Sequence, residues 1–368
     1  MNTLQQENFD LQKHIEKGIK KIITDSMKAA LKNPKESAFL VRFMAASSRA
    51  AAAREKLEAE GFHVPGFLIA SVTSSCNLHC AGCYSRCINT TTDDVPRGQL
   101  TGEEWENIFK EAKELGICYI LIAGGEPLIR KDILSAAGRN RDIMFPVFTN
   151  GTFIDDEYLK LFYDCRNIIP VMSIEGGRET TDERRGEGIY DKLTANMDIF
   201  RKKGIEFGAS VTVTTENLSE VMSAEFVSDL AGKGCKLILF IEFVPVTEEA
   251  AHLAPGDEER KRMEEVMMKL REIYPELLLL SFPGDELAMG GCMAAGREFF
   301  HINSTGGAEP CPFSPFSDIN VKEKSLKEAL RSPLFTGLRE SGILKEQHTG
   351  GCVLYERQAE VQALLGQE

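Results

Sequence analysis

From Phe67 onward, apolar and polar positions alternate on two scales. Short apolar runs occupy 67–73, 118–123, 143–149, 168–174, 206–214 and 235–246. Between and after them, at about 101–115, 130–141, 155–164, 190–203, 217–232 and 257–274, the pattern is helical, with apolar residues returning every three or four positions. Strands alternating with helices predict a parallel sheet with right-handed crossovers. Continuous runs such as Tyr119-Ile120-Leu121-Ile122 fit strands covered on both faces. Six βα units fall two short of a closed barrel. The expected fold class is therefore α/β, a partial (β/α)6 barrel whose open mouth leaves room for a large substrate.

The flanks read differently. Residues 11–60 have helical spacing, with Ile15, Ile19, Ile22 and Ile23 on one face and Phe39, Phe43 and Leu57 later. Asn33-Pro34 divides them into two helices, because proline disfavours helix in the residue before it. Between Gln12 and Arg54 ten Lys/Arg stand against three acids. The plain reading is a solvated helical face packed on the barrel. The alternative is a docking surface for an acidic peptide or an anionic membrane. The expected division is an N-terminal helical extension (1–63), the barrel (64–285) and a small C-terminal α+β domain (286–368).

Composition narrows the function classes. The formal net charge is −13, which argues against general nucleic-acid binding. No run of about 18 apolar residues is present, so no transmembrane helix is expected. Ten cysteines without a signal peptide point to a reducing, cytoplasmic setting.

The chemistry begins at the end of the first apolar run, in Cys76-Asn-Leu-His-Cys80-Ala-Gly-Cys83-Tyr84. Three thiolates are offered where an iron–sulfur cube ordinarily takes four. One iron then stays open to a ligand that is not protein. The spacing is too tight for disulfides, and no fourth partner sits at zinc-finger spacing. Cys87 is read as a bystander.

This C-x3-C-x2-C loop resembles the signature of the radical S-adenosylmethionine (SAM) enzymes, over roughly residues 67–360. The resemblance implies a [4Fe-4S] cluster whose open iron chelates SAM. Reductive cleavage then gives methionine and a 5′-deoxyadenosyl radical. The family often carries an aromatic residue just before the third Cys; here Gly82 stands there and Tyr84 follows. Gly124-Gly125-Glu126-Pro127, after the second strand, resembles the family motif that holds the SAM ammonium. Thr149-Asn150-Gly151 matches a pattern at the barrel mouth. Ser173 and Glu175 occupy positions that approach the ribose or carboxylate in relatives, Arg185 (or equally Arg184) suits the carboxylate, and the strand-six end through Val246 lines the adenine. Each single residue reads equally well as a satisfied core polar group.

A second cysteine pattern follows: Cys292-x13-Gly306-x4-Cys311, then Gly350-Gly351-Cys352. Phe299–Asn303 and Ala308–Cys311 flank a Gly-rich turn, which predicts a hairpin. The spacing resembles a truncated SPASM or twitch domain, which implies an auxiliary [4Fe-4S] cluster. Complete SPASM domains have seven cysteines; here there are three, and His301 and Asp318 are conceivable fourth ligands without a spacing argument for either. Structural thiols or zinc are the alternative. Cys118, Cys165 and Cys235 read as core.

The resemblance implies an enzyme that modifies a peptide or protein, with reduced ferredoxin or flavodoxin as electron donor. The runner-up is haem or other cofactor biosynthesis on a small-molecule precursor. A non-catalytic iron–sulfur electron carrier or redox sensor is the alternative of a different class. The sequence names no catalytic residue and no substrate.

Overall fold

In the computed structural model, which describes residues 34–346 and 351–365, strands form where the apolar runs fall. They are β1 Phe67–Ser71, β2 Tyr119–Ala123, β3 Phe145–Thr149, β4 Ile168–Ser173, β5 Gly208–Val213 and β6 Leu237–Glu242. Helices lie between them as the periodicity predicts, among them α1 Pro34–Ala59, α2 Gly102–Glu114, α3 Lys131–Arg139 and α4 Asp156–Asp164. The start of α2 is fixed by a capping box, Thr101 with Glu104, which satisfies two otherwise unpaired backbone N–H groups.

Among the described residues there is one curled sheet of nine strands, ordered β7-β6-β5-β4-β3-β2-β1-β8-β9. The three added strands are β7 Leu278–Phe282, β8 Phe299–Ile302 and β9 Ala308–Glu309. All pairings are parallel except β8 with β9. The expected hairpin exists, with His301 opposite Glu309. It does not stand apart from the barrel: β8 also pairs in parallel with β1, Phe67 opposite Phe299. The C-terminal cysteines are thereby attached to the barrel wall.

The strands are not covered equally on both faces, contrary to the reading of the apolar runs. In β1 and β2 buried residues alternate with half-buried ones. Leu68, Ala70, Ile120 and Ile122 are fully buried in the main core, which also holds helix residues such as Trp105, Ile108 and Phe109, while Ile69, Ser71, Leu121 and Ala123 are half-buried on the concave side. An open half-barrel leaves its inner face partly accessible.

The helix expected ahead of Pro34, with Ile15 to Ile23, lies outside the described residues. Helix α1 packs Phe39, Leu40 and Phe43 on Tyr119 and Met144. Tyr119 opens β2, so α1 covers the amino ends of the strands, opposite the cysteine loop. Its Arg42 meets Asp142 at 2.9 Å, and Arg54 donates to the Gly116 carbonyl. These two arginines are engaged at the amino ends of the strands; six of the ten basic residues of the stretch lie outside the described residues. Among the described residues no helix is long and apolar enough to cross a membrane.

Candidate active site

The cysteine loop leaves β1 at the carboxyl end of the sheet, where ligands bind in parallel barrels. Two arginines shape it. Arg86 donates to the carbonyls of Leu78 and Cys76 at 2.9 and 3.0 Å and pairs with Asp93 at 2.8 Å. Arg185, half-buried, gives one nitrogen to Glu175 and holds another 3.9 Å from the Cys80 sulfur. Cys76, Cys80 and Cys83 are free thiols, each half-buried. Burial pushes the Cys76 and Cys80 thiols up, with Arg185 opposing it at Cys80. Binding iron must therefore expel their protons, and the two guanidinium groups offset the charge that remains. The loop fits a cluster held by three thiolates. Cys87 is exposed, one helical turn beyond Cys83.

The Gly-Gly-Glu turn serves this loop directly. Gly125 N–H donates to Thr73 O at 2.7 Å and Glu126 N–H to Ser75 O at 2.8 Å. A Cβ on Gly124 would overlap the Thr73 carbonyl, and one on Gly125 the Ser75 carbonyl. Gly124 also has φ +129°, a conformation that favours glycine. The pair was expected to let the backbone approach a ligand; what it admits first is the backbone just ahead of Cys76. Glu126 is 1% exposed. Its carboxylate accepts from Leu128 N at 3.0 Å, Thr149 Oγ1 at 2.7 Å and Asn150 N at 2.8 Å, tying the ends of β2 and β3 together. Burial raises its pKa. Pro127 opens the 3-10 turn that Glu126 caps.

Beyond β4, Ser173 accepts from Ser210 at 3.2 Å. Glu175, fully buried, accepts from Thr212 N at 2.8 Å and meets both Arg185 and Arg184, the latter at 3.4 Å. Sequence reading left the choice between the two arginines open; they share one carboxylate, and only Arg185 reaches a cysteine. Both stand on the polar helix Arg178–Arg185, which has no apolar stripe to announce it.

Gly82 adopts φ +65°, and a side chain there would begin 2.8 Å from the Phe243 ring. The Phe243 ring, just past the end of β6, thus lies against the loop at Gly82. Arg184 lies over the same ring, 5.7 Å from its centroid. Val246 is half-buried in the following loop. Tyr84 points elsewhere: one face of its ring packs on Phe313 at 4.4 Å, and its hydroxyl pKa is raised by burial and by Cys83, Cys311 and Glu309.

The C-terminal cysteines come together. Cys352 and Cys292 lie near enough to act electrostatically on Cys311, and Cys352 acts likewise on Cys292. Burial is the main cause that raises the Cys292 and Cys311 thiols. Glu242, at the end of β6, draws the last cysteine in by accepting from Gly351 N at 2.9 Å and from Arg260 at 2.8 Å. The two conceivable fourth ligands are engaged elsewhere. His301 has Glu309 and Ser71 each at 2.7 Å on its two ring nitrogens, and Asp318 accepts from Leu334 N at 2.7 Å. Among the described residues no three His, Cys, Asp or Glu converge on a single metal-ion position. A zinc ion draws its ligands that close; a cube of four irons and four sulfides keeps them further apart. Cys118 and Cys235 are core, as expected.

A half-barrel carries three free thiols on the first strand's loop, backed by a glycine pair and half-buried arginines. In comparison with known proteins, residues 70–227 match the radical SAM superfamily; the chain carries a radical SAM domain and is an enzyme. Its cofactors are a [4Fe-4S] cluster and SAM. An AdoMet-dependent heme synthase of Methanosarcina barkeri is 25% identical over 309 residues, 77% of this chain and 87% of the relative. A PqqA peptide cyclase of Gluconobacter oxydans is 24% identical, covering 78% of this chain and 85% of the relative. In fold the chain resembles Streptococcus suis SuiB bound to its precursor peptide SuiA, with a TM-score of 0.66 at 20% identity, over 83% of this chain and 76% of that one.

Proposed function

We propose that this chain is a two-cluster radical SAM enzyme that modifies a peptide or protein side chain. Cys76, Cys80 and Cys83 hold the first cluster. Ser173, Glu175, Arg185 and Val246, with the Gly124–Pro127 turn, enclose SAM beside it. Bound together, cluster and SAM supply abstraction of a hydrogen atom from substrate carbon. The chain's own part is to brace and orient. Arg86 and Arg185 hold the cysteine loop, Glu126 locks the two strand ends beneath it, and Phe243 offers an apolar wall. Cys292, Cys311 and Cys352 hold an auxiliary cluster, in the part of the chain from 286 to 368. One observation carries the two-cluster reading: the ring of Tyr84, directly after Cys83, packs at 4.4 Å on Phe313, two residues past Cys311. The two thiol sets are neighbours at one mouth.

The charges at that mouth support a peptide. Arg86 meets Asp93, Arg184 and Arg185 meet Glu175, and Arg260 meets Glu242. A tetrapyrrole with several carboxylates calls for cations whose charge is not already balanced. A neutral or basic peptide segment does not. Against this, the 25% identity to a heme synthase over 87% of that relative favours a macrocycle as the second reading.

The test uses anaerobically reconstituted, reduced full-length protein with SAM. It is offered either short ribosomal peptides encoded beside its gene or an iron porphyrin bearing propionates. Formation of 5′-deoxyadenosine with a mass change on a peptide is expected; decarboxylation of the porphyrin would replace the peptide reading with the second. The Cys292/Cys311/Cys352→Ala triple variant should retain SAM cleavage, lose substrate turnover, and fall from about eight irons to about four. A wild-type iron content near four would leave a one-cluster enzyme.

A further inference from the structure

The inner face of the half-barrel carries a hydrogen-bonded line of polar residues that the two cysteine sets leave unused. Ser71 ends β1, just ahead of the first cysteine loop. In the register of β1 with β8, Ile69 stands opposite His301. Paired residues share a face of the sheet, so His301 lies on the concave side with Ile69 and Ser71. Glu309 stands opposite His301 on β9 and shares that face. His301 is 4% exposed and Glu309 5%, whereas Ser71 is half-buried and is the member of the line that stands open to the barrel.

The line has a direction, and the backbone sets it. Asn303 Oδ1 accepts from Thr305 N at 3.0 Å and from Gly307 N at 2.9 Å. Its amide nitrogen is therefore the atom turned to Glu309, and it donates to Oε1. The other carboxylate oxygen, Oε2, lies 2.7 Å from His301 Nδ1. A carboxylate is a weaker base than an imidazole, so the proton between them rests on Nδ1. A neutral imidazole then has a bare Nε2, and that atom lies 2.7 Å from Ser71 Oγ. Ser71 donates its proton to Nε2 and turns lone pairs to the barrel. A carboxylate, a histidine and a hydroxyl in this order make a serine oxygen basic and nucleophilic.

We propose that Ser71, His301 and Glu309 form a proton relay that accepts a proton from a hydroxyl, thiol or amide group of the substrate. The substrate proton passes to Ser71 Oγ while the Ser71 proton passes to His301 Nε2, and the bonding pair stays on the substrate heteroatom. Glu309 stays ionised throughout and balances the imidazolium. The relay thereby defines a substrate class, one that presents such a heteroatom at the mouth. This step rests on the reading of the open mouth as the substrate site. The pull of His301 on the Ser71 proton is a property of the chain alone.

That pull is measured without SAM or substrate. Anaerobically reconstituted full-length protein is treated with diisopropyl fluorophosphate, and the site and rate of labelling are read by peptide mass spectrometry. Ser71 Oγ bonds to phosphorus, fluoride leaves with the P–F electron pair, and the Ser71 proton goes to His301 Nε2. Ser71 should be labelled, and Ser71→Ala should remove that label. His301→Gln should slow labelling about a hundredfold or more, the usual range for loss of a general base. Glu309→Gln is the decisive variant, because it preserves shape and leaves each contact hydrogen-bonded. Asn303 still donates to the side-chain oxygen, so the new NH2 group faces Nδ1. The imidazole proton then sits on Nε2, which no longer accepts from Ser71. Labelling should fall as steeply as in His301→Gln, with circular dichroism and iron content unchanged. An unlabelled Ser71 in the wild type, or a rate that neither His301→Gln nor Glu309→Gln changes, would overturn the relay and leave the three residues as a clamp between β8 and β1. Absence of a mass change on any peptide is a separate result, which counts against the peptide reading and leaves the relay standing.

Discussion

The two cysteine sets are assembled by opposite routes. Cys76, Cys80 and Cys83 lie on one loop leaving β1, so their proximity is guaranteed by sequence. Cys292, Cys311 and Cys352 come from three separate segments, and tertiary contacts must deliver each one. The pairing of β8 with β1 places Cys311 beside the first loop, and Glu242 draws in Gly351. The first set has backbone support from the glycine pair under Thr73 and Ser75, and in the second Gly291, just ahead of Cys292, packs as closely on the Leu344 carbonyl. A local motif thus depends on short-range contacts, while a motif assembled through the fold depends on the packing of distant segments.

The contrast predicts a ranking of effects on SAM cleavage. Changing Cys76, Cys80 or Cys83 to Ala should reduce 5′-deoxyadenosine formation to background, because two thiolates hold a cube poorly. Iron should fall from about eight to about four per chain. Full product formation in any one of these variants would falsify the assignment of the first site.

Gly125→Val should come next, and its signature separates two roles for the turn. If the glycine pair only admits SAM, iron stays near eight and SAM affinity falls. The overlap of a Cβ with the Ser75 carbonyl predicts instead that the cysteine loop itself is displaced. Iron should drop toward about four, with a stability loss of about 3 kcal/mol or more from steric conflict in a buried turn. Iron analysis and thermal denaturation on one sample distinguish the two.

Much of the first site was legible because its residues are close in sequence or recur at successive strand ends. All six βα units were readable from apolar runs. The strand β7, Leu278–Phe282, was not: its leucines favour helix as readily as strand, and no β-branched residue marks it. The union of β8 with β1 joins residues far apart in the chain and leaves no local pattern. The placements of Glu286 and Glu242 were hidden for the same reason, since a glutamate in a polar stretch reads as solvated until the fold buries it. Arg185 was half legible. The residue type suggested a partner carboxylate, but Glu175 and Cys80 as its partners required the structure.

Arg185→Met tests the support beneath the first set. It leaves Glu175, which is fully buried, with only the more distant Arg184, and removes the guanidinium from Cys80. Breaking one side of a buried pair typically costs about 3–5 kcal/mol. The cluster should still assemble, because all three thiols remain, but with a more negative reduction potential now that a positive charge beside it is gone. SAM cleavage should fall without vanishing. The double variant Arg185→Met/Glu175→Gln should recover much of the stability and none of the potential. Recovery of both would show that the arginine acts only through the carboxylate.

The smallest effect is predicted at Cys87, and it bears most directly on the class of protein. Cys87 follows Cys83 by one helical turn, is exposed, and donates its backbone N–H to the Cys83 carbonyl. A helical backbone at 84–87 is maintained equally well by alanine. Cys87→Ala should therefore keep about eight irons and the wild-type rate of 5′-deoxyadenosine formation. The alternative outcome is chemically distinct. If Cys87 closed the first cube as a fourth thiolate, no iron would be open to SAM, and the site would be that of an electron carrier. Its replacement would then free an iron, and SAM cleavage would rise or appear rather than stay constant. An unchanged rate with unchanged iron is what three thiolates on one loop require.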